Sequence, residues 1–237
     1  MKHATTVVPA VQRIPAPAHA MIPAWKRALD IGVVVAALPV LVPVGAIIAA
    51  VIKCVSWGPV LFRQERIGLL GKPFVCFKFR TMRVDAGASV HEGHLEKLIA
   101  SGRPMVKMDA MGDPRLIPFG SILRASGLDE LPQFINVFRG EMSIVGPRPC
   151  MEYEYSKYQP RQKARFNSLP GITGLWQVSG KNNTTFEQMI AMDIAYAEMK
   201  SPGLDIKIML KTIPTLVQQL VEARRRRAAA ASRISQE

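Results

Sequence analysis

The sequence contains little cysteine: only Cys54, Cys76 and Cys150 occur among its 237 residues. Their number is odd and their spacing is wide, which excludes a disulfide framework and matches no zinc-binding motif. We therefore expect reduced thiols in a cytosolic environment. Small apolar residues of this kind are usually buried, and burial is the expected place for all three.

Acidic residues are also scarce, with 18 Asp and Glu against 31 Lys and Arg and a formal net charge of +13. Such an excess favours an anionic partner. Nucleic acid, anionic lipid and phosphorylated small molecules all satisfy that requirement, so charge alone does not choose among them.

One long uncharged apolar run is present, from Ile31 to Ile52. It is long enough to cross a bilayer core of about 30 Å. Pro39 and Pro43 lie one turn apart within it, and each removes a helix hydrogen bond. Basic residues flank both ends, so the positive-inside rule gives no direction of crossing. We expect a broken, re-entrant helix with both ends on the cytosolic side; a kinked spanning helix is the alternative.

The rest of the chain predicts one globular domain of α+β class, mostly helical, with a short β-hairpin. We expect a disordered leader over residues 1–23, the re-entrant membrane helix over 24–57, the membrane-associated domain over 58–221 and a basic tail over 222–237. Four consecutive arginines in that tail favour anionic lipid headgroups.

The hairpin is predicted from two aromatic and β-branched segments, PVLFRQ and PFVCFKFRTM, joined by LLGK. In the second segment Val75, Phe77 and Phe79 alternate with Cys76, Lys78 and Arg80, which gives one apolar and one cationic face. Lys78 and Arg80 fit either an anion-binding surface or a solvated strand face.

Two helices are predicted near the carboxyl terminus. Thr184 and Glu187 form a capping box that opens a helix to about Lys200. A second helix carries an apolar stripe, for which core packing is the usual explanation and a membrane surface the alternative; the stripe comprises Ile206, Met209, Ile213, Leu216 or Val217, and Leu220. The segment PGITGLWQVSGKNN between the hairpin domain and these helices fits a turn-rich strand connection or a loop that closes over a phosphate.

The most informative stretch is residues 124–148, RASGLDELPQFINVFRGEMSIVGPR. Asp129 and Glu130 precede Pro132, which is tolerated only in the first turn of a helix. The carboxylates therefore lie near a helix N-terminus, where anions are favoured. Ser126 and Asp129 also match a simple capping pattern, so a purely structural role is the alternative.

Basic residues surround this acidic pair in the sequence: Arg124 precedes it, and Arg139 and Arg148 follow. The GPRP turn at 146–149 presents the Arg148 guanidinium rigidly, a geometry suited to bidentate phosphate binding. Neighbouring residues on a helix point about 100° apart, so Asp129 and Glu130 are not expected to share one proton. A division of labour follows, with one carboxylate attacking or moving protons and the other holding a metal ion.

The order of motifs resembles the bacterial sugar transferases, the small monotopic phosphoglycosyl transferases, over about residues 25–220. The motifs that carry the resemblance are KRALD, FRQERIG, FKFRTM, LDELPQ, GEMSIVGPRP, PGITGLWQVSGKN and LDIKIM. The resemblance implies transfer of a sugar 1-phosphate from a UDP-sugar to a polyprenyl phosphate, release of UMP, and the start of a lipid-linked glycan for exopolysaccharide or a similar polymer. It also implies a membrane-embedded enzyme at the cytoplasmic face of the bacterial inner membrane, and no nucleic-acid partner.

The same resemblance implies residue roles. Asp129 is expected to be the nucleophile that forms a covalent phosphosugar intermediate, and Glu130 to serve Mg²⁺. Substrate phosphates are expected to be bound by the basic positions Lys78, Arg80, Arg124, Arg148 and Lys181. Val42-Pro43 replaces the Ser-Pro pair that family members often carry in the membrane helix. Two alternatives remain at this point: a single-step displacement with Asp129 as base, and a non-enzymatic basic module that binds lipid or nucleic acid.

Overall fold

The computed structural model describes residues 22–84, 115–180 and 184–234. The expected leader before residue 22 lies outside the described residues, as does Lys181. Helices dominate the described part of the chain, accompanied by two small two-stranded sheets. The expected α+β, mostly helical class with a short hairpin is therefore confirmed.

The first helix, α1 (Ala24–Val55), contains both Pro39 and Pro43. The chain stays helical at both prolines, so the expected break does not interrupt the helix. A proline inside a helix removes a hydrogen bond and bends the helix without necessarily ending it. By length and composition α1 can cross a membrane, and only 11% of its most apolar stretch is buried inside the protein.

Both ends of α1 pack against the same domain. Near its start, the buried Lys26 donates to the Val145 carbonyl at 2.9 Å and pairs with Asp205 at 2.6 Å. Near its end, Ile52 is fully buried in a cluster with Phe79, Ile117 and Leu123. In the middle of the helix the apolar side chains are largely exposed: Val40, Val42 and Ile47 are each about two-thirds exposed.

Strands β1 (Leu61–Ile67) and β2 (Pro73–Phe79) form the predicted antiparallel hairpin, which is confirmed. They are joined through the 3-10 turn Leu69–Gly71. Gly71 adopts a positive φ of 73°, and a side chain there would meet the Tyr155 hydroxyl at 2.6 Å. The turn therefore requires glycine for its conformation and for space.

Residues 120–145 form helix α2 (Gly120–Ser126), a 3-10 turn (Leu128–Glu130, the acidic turn), helix α3 (Gln133–Arg139) and strand β3 (Ser143–Val145). Gly127, at φ 73°, separates α2 from the acidic turn. Pro132 is the residue immediately before α3. The expected position of the carboxylates, near the N-terminus of a short helix whose start Pro132 limits, is thus confirmed.

Strand β3 pairs in parallel with β4 (Gly171–Thr173). The two backbones meet so closely that a Cβ at Gly146 would lie 2.1 Å from the Leu169 carbonyl oxygen. Gly146 donates to Thr173, and Gly171 donates to Pro147, both at 2.9 Å. This close contact holds the GPRP turn against the PGITG segment, which is a strand connection followed by helix α5 (Leu175–Val178).

Between β3 and β4 lie helix α4 (Glu152–Lys157) and the 3-10 segment Pro160–Asn167. Helix α6 (Phe186–Met199) follows α5. Its capping box is formed by Thr185 and Gln188, so the predicted box at Thr184 and Glu187 is wrong by one residue. Both pairs match the motif, and the helix begins one residue later than expected.

The last described helix, α7 (Pro202–Ile234), continues through the four arginines. Asp205 and Ile208 are its buried residues among those described, whereas Ile206, Ile213 and Val217 are exposed. The core-packing explanation therefore holds for Met209, which packs against the same core cluster as Ile208, and is wrong for the exposed members of the stripe. The side chain of Leu220 lies outside the described residues.

Candidate active site

The acidic turn places the two carboxylates in different surroundings. Asp129 is buried, with 9% of its surface exposed, whereas one-third of the Glu130 side chain is exposed. The turn has no side-chain cap, and the Ser126 hydroxyl instead donates to the Ile122 and Leu123 carbonyls. The Ser126 hydroxyl also accepts from the Leu128 amide at 3.4 Å, so it contacts the start of the turn, and the capping role of Asp129 stays an alternative.

Glu130 is joined to the hairpin by Lys78, whose Nζ lies 2.9 Å from Glu130 Oε1. Lys78 stands near the end of β2 with about a quarter of its side chain exposed. The two residues are 52 positions apart in sequence. The fold therefore brings a predicted phosphate-binding cation directly to the predicted metal-binding carboxylate.

Asn136 fixes α3 to β2 and so sets the distance between the acidic turn and Lys78. Its Oδ1 accepts from the Phe77 amide at 3.0 Å, and its Nδ2 donates to the Val75 carbonyl at 2.7 Å. Nδ2 also donates to Glu141 at 2.6 Å. Asn136 is completely buried and ties one helix to one strand edge. An asparagine among the apolar residues of this helix is the sequence feature that could have identified this role.

Arg80 is held by the end of α1. Its guanidinium donates to the Ser56 hydroxyl and carbonyl at 3.0 and 2.8 Å and to the Trp57 carbonyl at 2.7 Å. These contacts give Arg80 a positioning role between the hairpin and the end of α1. Its expected role in phosphate binding stays a prediction.

Arg148 follows β3 in the GPRP turn and donates to the buried Glu154 at 3.2 Å. The turn is held from behind by Arg165, which donates to the Arg148 carbonyl at 2.8 Å. Arg165 is itself fully buried and pairs with Asp193 at 2.5 Å and with the Tyr158 hydroxyl at 2.6 Å. Sequence reasoning did not identify Arg165 or Asp193, because their pairing depends on contacts between distant segments.

Arg124 lies in the last turn of α2, three residues before Gly127, which connects α2 to the acidic turn, and is partly buried. Among the described residues, no three His, Cys, Asp or Glu side chains gather into a metal-binding cluster. Mg²⁺ commonly takes one or two carboxylates and completes its shell with water and substrate phosphates. The partly exposed Glu130 is a hard oxygen donor that fits such a site.

The thiols do not compete as nucleophiles in the core. Cys76 and Cys150 are buried, as expected, whereas Cys54 is exposed on α1, so the burial expectation is wrong for that residue. Burial raises the pKa of Cys76 and raises that of Cys150 to about 12. Both groups are therefore protonated at neutral pH and inert.

Comparison with known families identifies the class of protein. The family model described as "Bacterial sugar transferase" matches residues 21–219, which cover the hairpin, the acidic turn, the GPRP turn and most of α7. The chain therefore belongs to the bacterial sugar transferase family and is a phosphoglycosyl transferase.

Individual relatives are similar over most of this sequence. The exopolysaccharide production protein ExoY of Sinorhizobium fredii is 37% identical over 81% of the chain and 84% of its own length. A UDP-glucose:undecaprenyl-phosphate glucose-1-phosphate transferase of Caulobacter vibrioides is 40% identical over 81% of the chain and 69% of its own length. The galactosyl transferase CpsE of Streptococcus agalactiae is 42% identical over 68% of the chain and 35% of its own length.

Proposed function

We propose that this protein transfers a sugar 1-phosphate from a UDP-sugar to undecaprenyl phosphate or a similar polyprenyl phosphate, and so starts a lipid-linked glycan for exopolysaccharide. The observation that carries the proposal is the acidic turn: a buried Asp129 beside a Glu130 that is held by Lys78. The names of two relatives, with glucose-1-phosphate transfer and exopolysaccharide production, support the substrate classes.

Asp129 is the nucleophile in this proposal. Its carboxylate oxygen attacks the phosphorus that bears the sugar, and a new oxygen–phosphorus bond forms. The bond from that phosphorus to the bridging oxygen breaks, and UMP leaves with the electron pair. A phosphate oxygen of the polyprenyl acceptor then attacks the same phosphorus and restores the Asp129 carboxylate. Two steps allow a water-soluble donor and a lipid acceptor to use one site in turn.

The surrounding residues lower the cost of bringing anions together. Lys78 keeps a positive charge next to the acidic turn, 2.9 Å from Glu130. Glu130 would hold Mg²⁺, which neutralises charge on transferring phosphates when it is bound. Arg124 and Arg148 supply guanidinium groups, which match phosphate oxygens in bidentate geometry.

The chain's fold also supports attachment to the membrane from one side. Lys26 and Ile52, near the two ends of α1, are buried against the same domain, while the apolar middle of the helix is exposed. A helix whose two ends are held on one side of the bilayer enters and leaves on that side. Trp57, which is 97% exposed just after α1, is a residue type favoured at the membrane–water boundary. We place the domain at the cytoplasmic face, where nucleotide-activated sugars are made.

Purified protein in lipid nanodiscs tests the proposal. It is incubated with undecaprenyl phosphate, Mg²⁺ and, one at a time, UDP-glucose, UDP-galactose and the UDP-linked N-acetylated hexosamines. We expect UMP and a sugar-diphosphate lipid with at least one donor, and neither product from Asp129→Asn. Release of UDP in place of UMP would contradict the proposal, because it would mean that the sugar moves without its phosphate.

A single-step displacement, with Asp129 acting as base toward the acceptor phosphate, gives the same products. It differs in one respect: no covalent species forms when the lipid acceptor is left out. Membership of a transferase family argues against the non-enzymatic alternative, which also predicts that Asp129 is dispensable.

A further inference from the structure

Arg66 lies on the hairpin face that carries Lys78. In the register of the hairpin Phe62 pairs with Lys78 and Arg66 pairs with Phe74. Residues directly opposite share a face, and alternate residues of one strand also share it, so Phe62, Arg66 and Lys78 point the same way. This face turns toward Glu130, because Lys78 contacts that residue.

The Arg66 side chain is buried but incompletely satisfied. Only 8% of the residue is exposed, and Nη2 donates to Gln64 Oε1 at 2.6 Å. Nη1 is buried and has no hydrogen-bond partner among the residues that the structure describes. A buried guanidinium nitrogen without an acceptor is costly, so a bound anion is the natural completion of this site.

A second guanidinium lies nearby, that of Arg148. The strand that ends at Ile67 is tied to the residues after the GPRP turn, since the Ile67 amide donates to the Cys150 carbonyl at 2.8 Å. Burial, and next the charge of Arg148, lower the pKa of Arg66. The carboxylate of Glu154, fully buried, pairs with Arg148. Two guanidinium groups and one carboxylate leave an excess positive charge at this place.

We propose that Arg66 is a substrate-binding residue, which works beside Arg148 to bind a phosphate group of a substrate. The inference rests on the proposed function. Strand residues rise about 3.3 Å each, so the four residues from Phe62, the partner of Lys78, to Arg66 span about 13 Å. Both side chains are long, and their cationic ends can approach one diphosphate group from two sides. The diphosphate of the UDP-sugar and the phosphate of the lipid acceptor are both anions that such cationic side chains bind.

Three variants test the role. Arg66→Gln removes the charge, and Gln64→Glu places a carboxylate against Arg66 Nη2, which neutralises the guanidinium while keeping an ion pair in the fold. Arg63→Gln is the matched control, because Arg63 is exposed and lies on the opposite face of β1, with its guanidinium carbon 5.9 Å from the Phe77 ring centre. KM for the UDP-sugar, KM for undecaprenyl phosphate, kcat and the unfolding temperature are measured for each variant.

We expect a KM increase of tenfold or more for one substrate in Arg66→Gln and in Gln64→Glu, and none in Arg63→Gln. The substrate whose KM rises identifies the source of the phosphate. If Arg66 only holds the fold, Arg66→Gln unfolds at a lower temperature while Gln64→Glu keeps both wild-type KM values, and the inference is overturned. A wild-type protein that releases no UMP from any donor would instead contradict the proposed function.

Discussion

At the scale of single residues, the two carboxylates of the acidic turn differ in what surrounds them. Asp129 is buried, whereas Glu130 is partly exposed and joined to Lys78. The sequence shows two adjacent acids with the same chemistry, so only the fold separates their environments. This difference supports different roles, with the buried group as nucleophile and the accessible group as the metal ligand.

Glu130→Gln tests the metal role. The amide keeps the size of the side chain and an oxygen that accepts from Lys78, but it loses the negative charge that favours Mg²⁺. We expect the Mg²⁺ concentration for half-maximal UMP release to rise about tenfold or more, equivalent to about 1.4 kcal/mol of binding, with partial rescue by excess Mg²⁺. Glu65→Gln, an exposed change on β1, serves as control and should leave the titration unchanged. Activity that is independent of Mg²⁺ would contradict the role.

Asn136→Ala tests the link between α3 and the hairpin. It leaves the Phe77 amide and the Val75 carbonyl without their side-chain partner in a fully buried place. We expect a loss of about 1–3 kcal/mol in the free energy of unfolding and a lower kcat, because Lys78 and Glu130 are held together through this link. Chemical denaturation and UMP release measure the two effects. Ile135→Ala, on the exposed side of the same helix, should change neither; a stable, fully active Asn136→Ala protein would show that the link is unnecessary.

At the scale of secondary-structure elements, α7 has two distinct faces. It packs on the domain through Asp205 and Ile208, and it exposes Ile206, Leu210, Ile213 and Val217. Residues at this spacing form one narrow stripe on a helix. Lys207 and Lys211 are exposed on the same helix. An exposed apolar stripe beside cationic residues is typical of a helix that lies on an anionic membrane surface.

Ile213→Asp tests this face of α7. The residue is 64% exposed, so the fold tolerates the change, whereas a carboxylate is expelled from an apolar lipid boundary. We expect the variant to retain its unfolding temperature in detergent and to lose transfer activity toward lipid acceptor in nanodiscs that contain anionic lipid. Gln218→Asp adds the same charge at an exposed polar position and should remain active. Equal behaviour of the two variants would exclude contact between this stripe and lipid.

Patterns within a segment predicted the elements well, and contacts between segments account for what the sequence missed. The hairpin, the helix before the GPRP turn and the long apolar helix all follow from local alternation, proline position and composition. Three features depend on segments that meet only in the fold: the pairing of Arg165 with Asp193, the contact of Asn136 with β2, and the burial of Ile208 while most of the apolar stripe is exposed. The capping box was predicted one residue too early because Thr184 with Glu187 and Thr185 with Gln188 both match the motif, and the sequence alone does not distinguish them.

At the scale of the whole molecule, the central feature is a domain that holds both ends of the long apolar helix α1. The start of α1 is fixed by buried polar contacts of Lys26 and Asp30, and its end by Ile52 and by Arg80. Breaking such buried polar contacts is costly, so we expect both ends of α1 to stay attached to the domain, which predicts that they lie on the same side of a membrane.

Thiol labelling tests this topology. Cys54 is exposed near the end of α1, whereas Cys76 and Cys150 are buried, so a membrane-impermeant maleimide should label only Cys54 in sealed vesicles with the cytoplasmic face outward. In a Cys54→Ser background, Ala24→Cys reports on the exposed start of the helix. We expect both positions to be labelled from the same side. Labelling of the two positions from opposite sides would show that α1 crosses the membrane.

The central claim is that Asp129 takes the phosphosugar onto itself. The most direct measurement incubates the protein with UDP-sugar labelled in the sugar, without lipid acceptor, and maps the label by mass spectrometry after proteolysis. We predict release of one UMP per protein and a phosphosugar on the peptide that contains Asp129, which is lost when undecaprenyl phosphate is added and absent from Asp129→Asn. Full transfer activity in Asp129→Asn, or a wild-type protein that stays unlabelled and releases UMP only when acceptor is present, would contradict it.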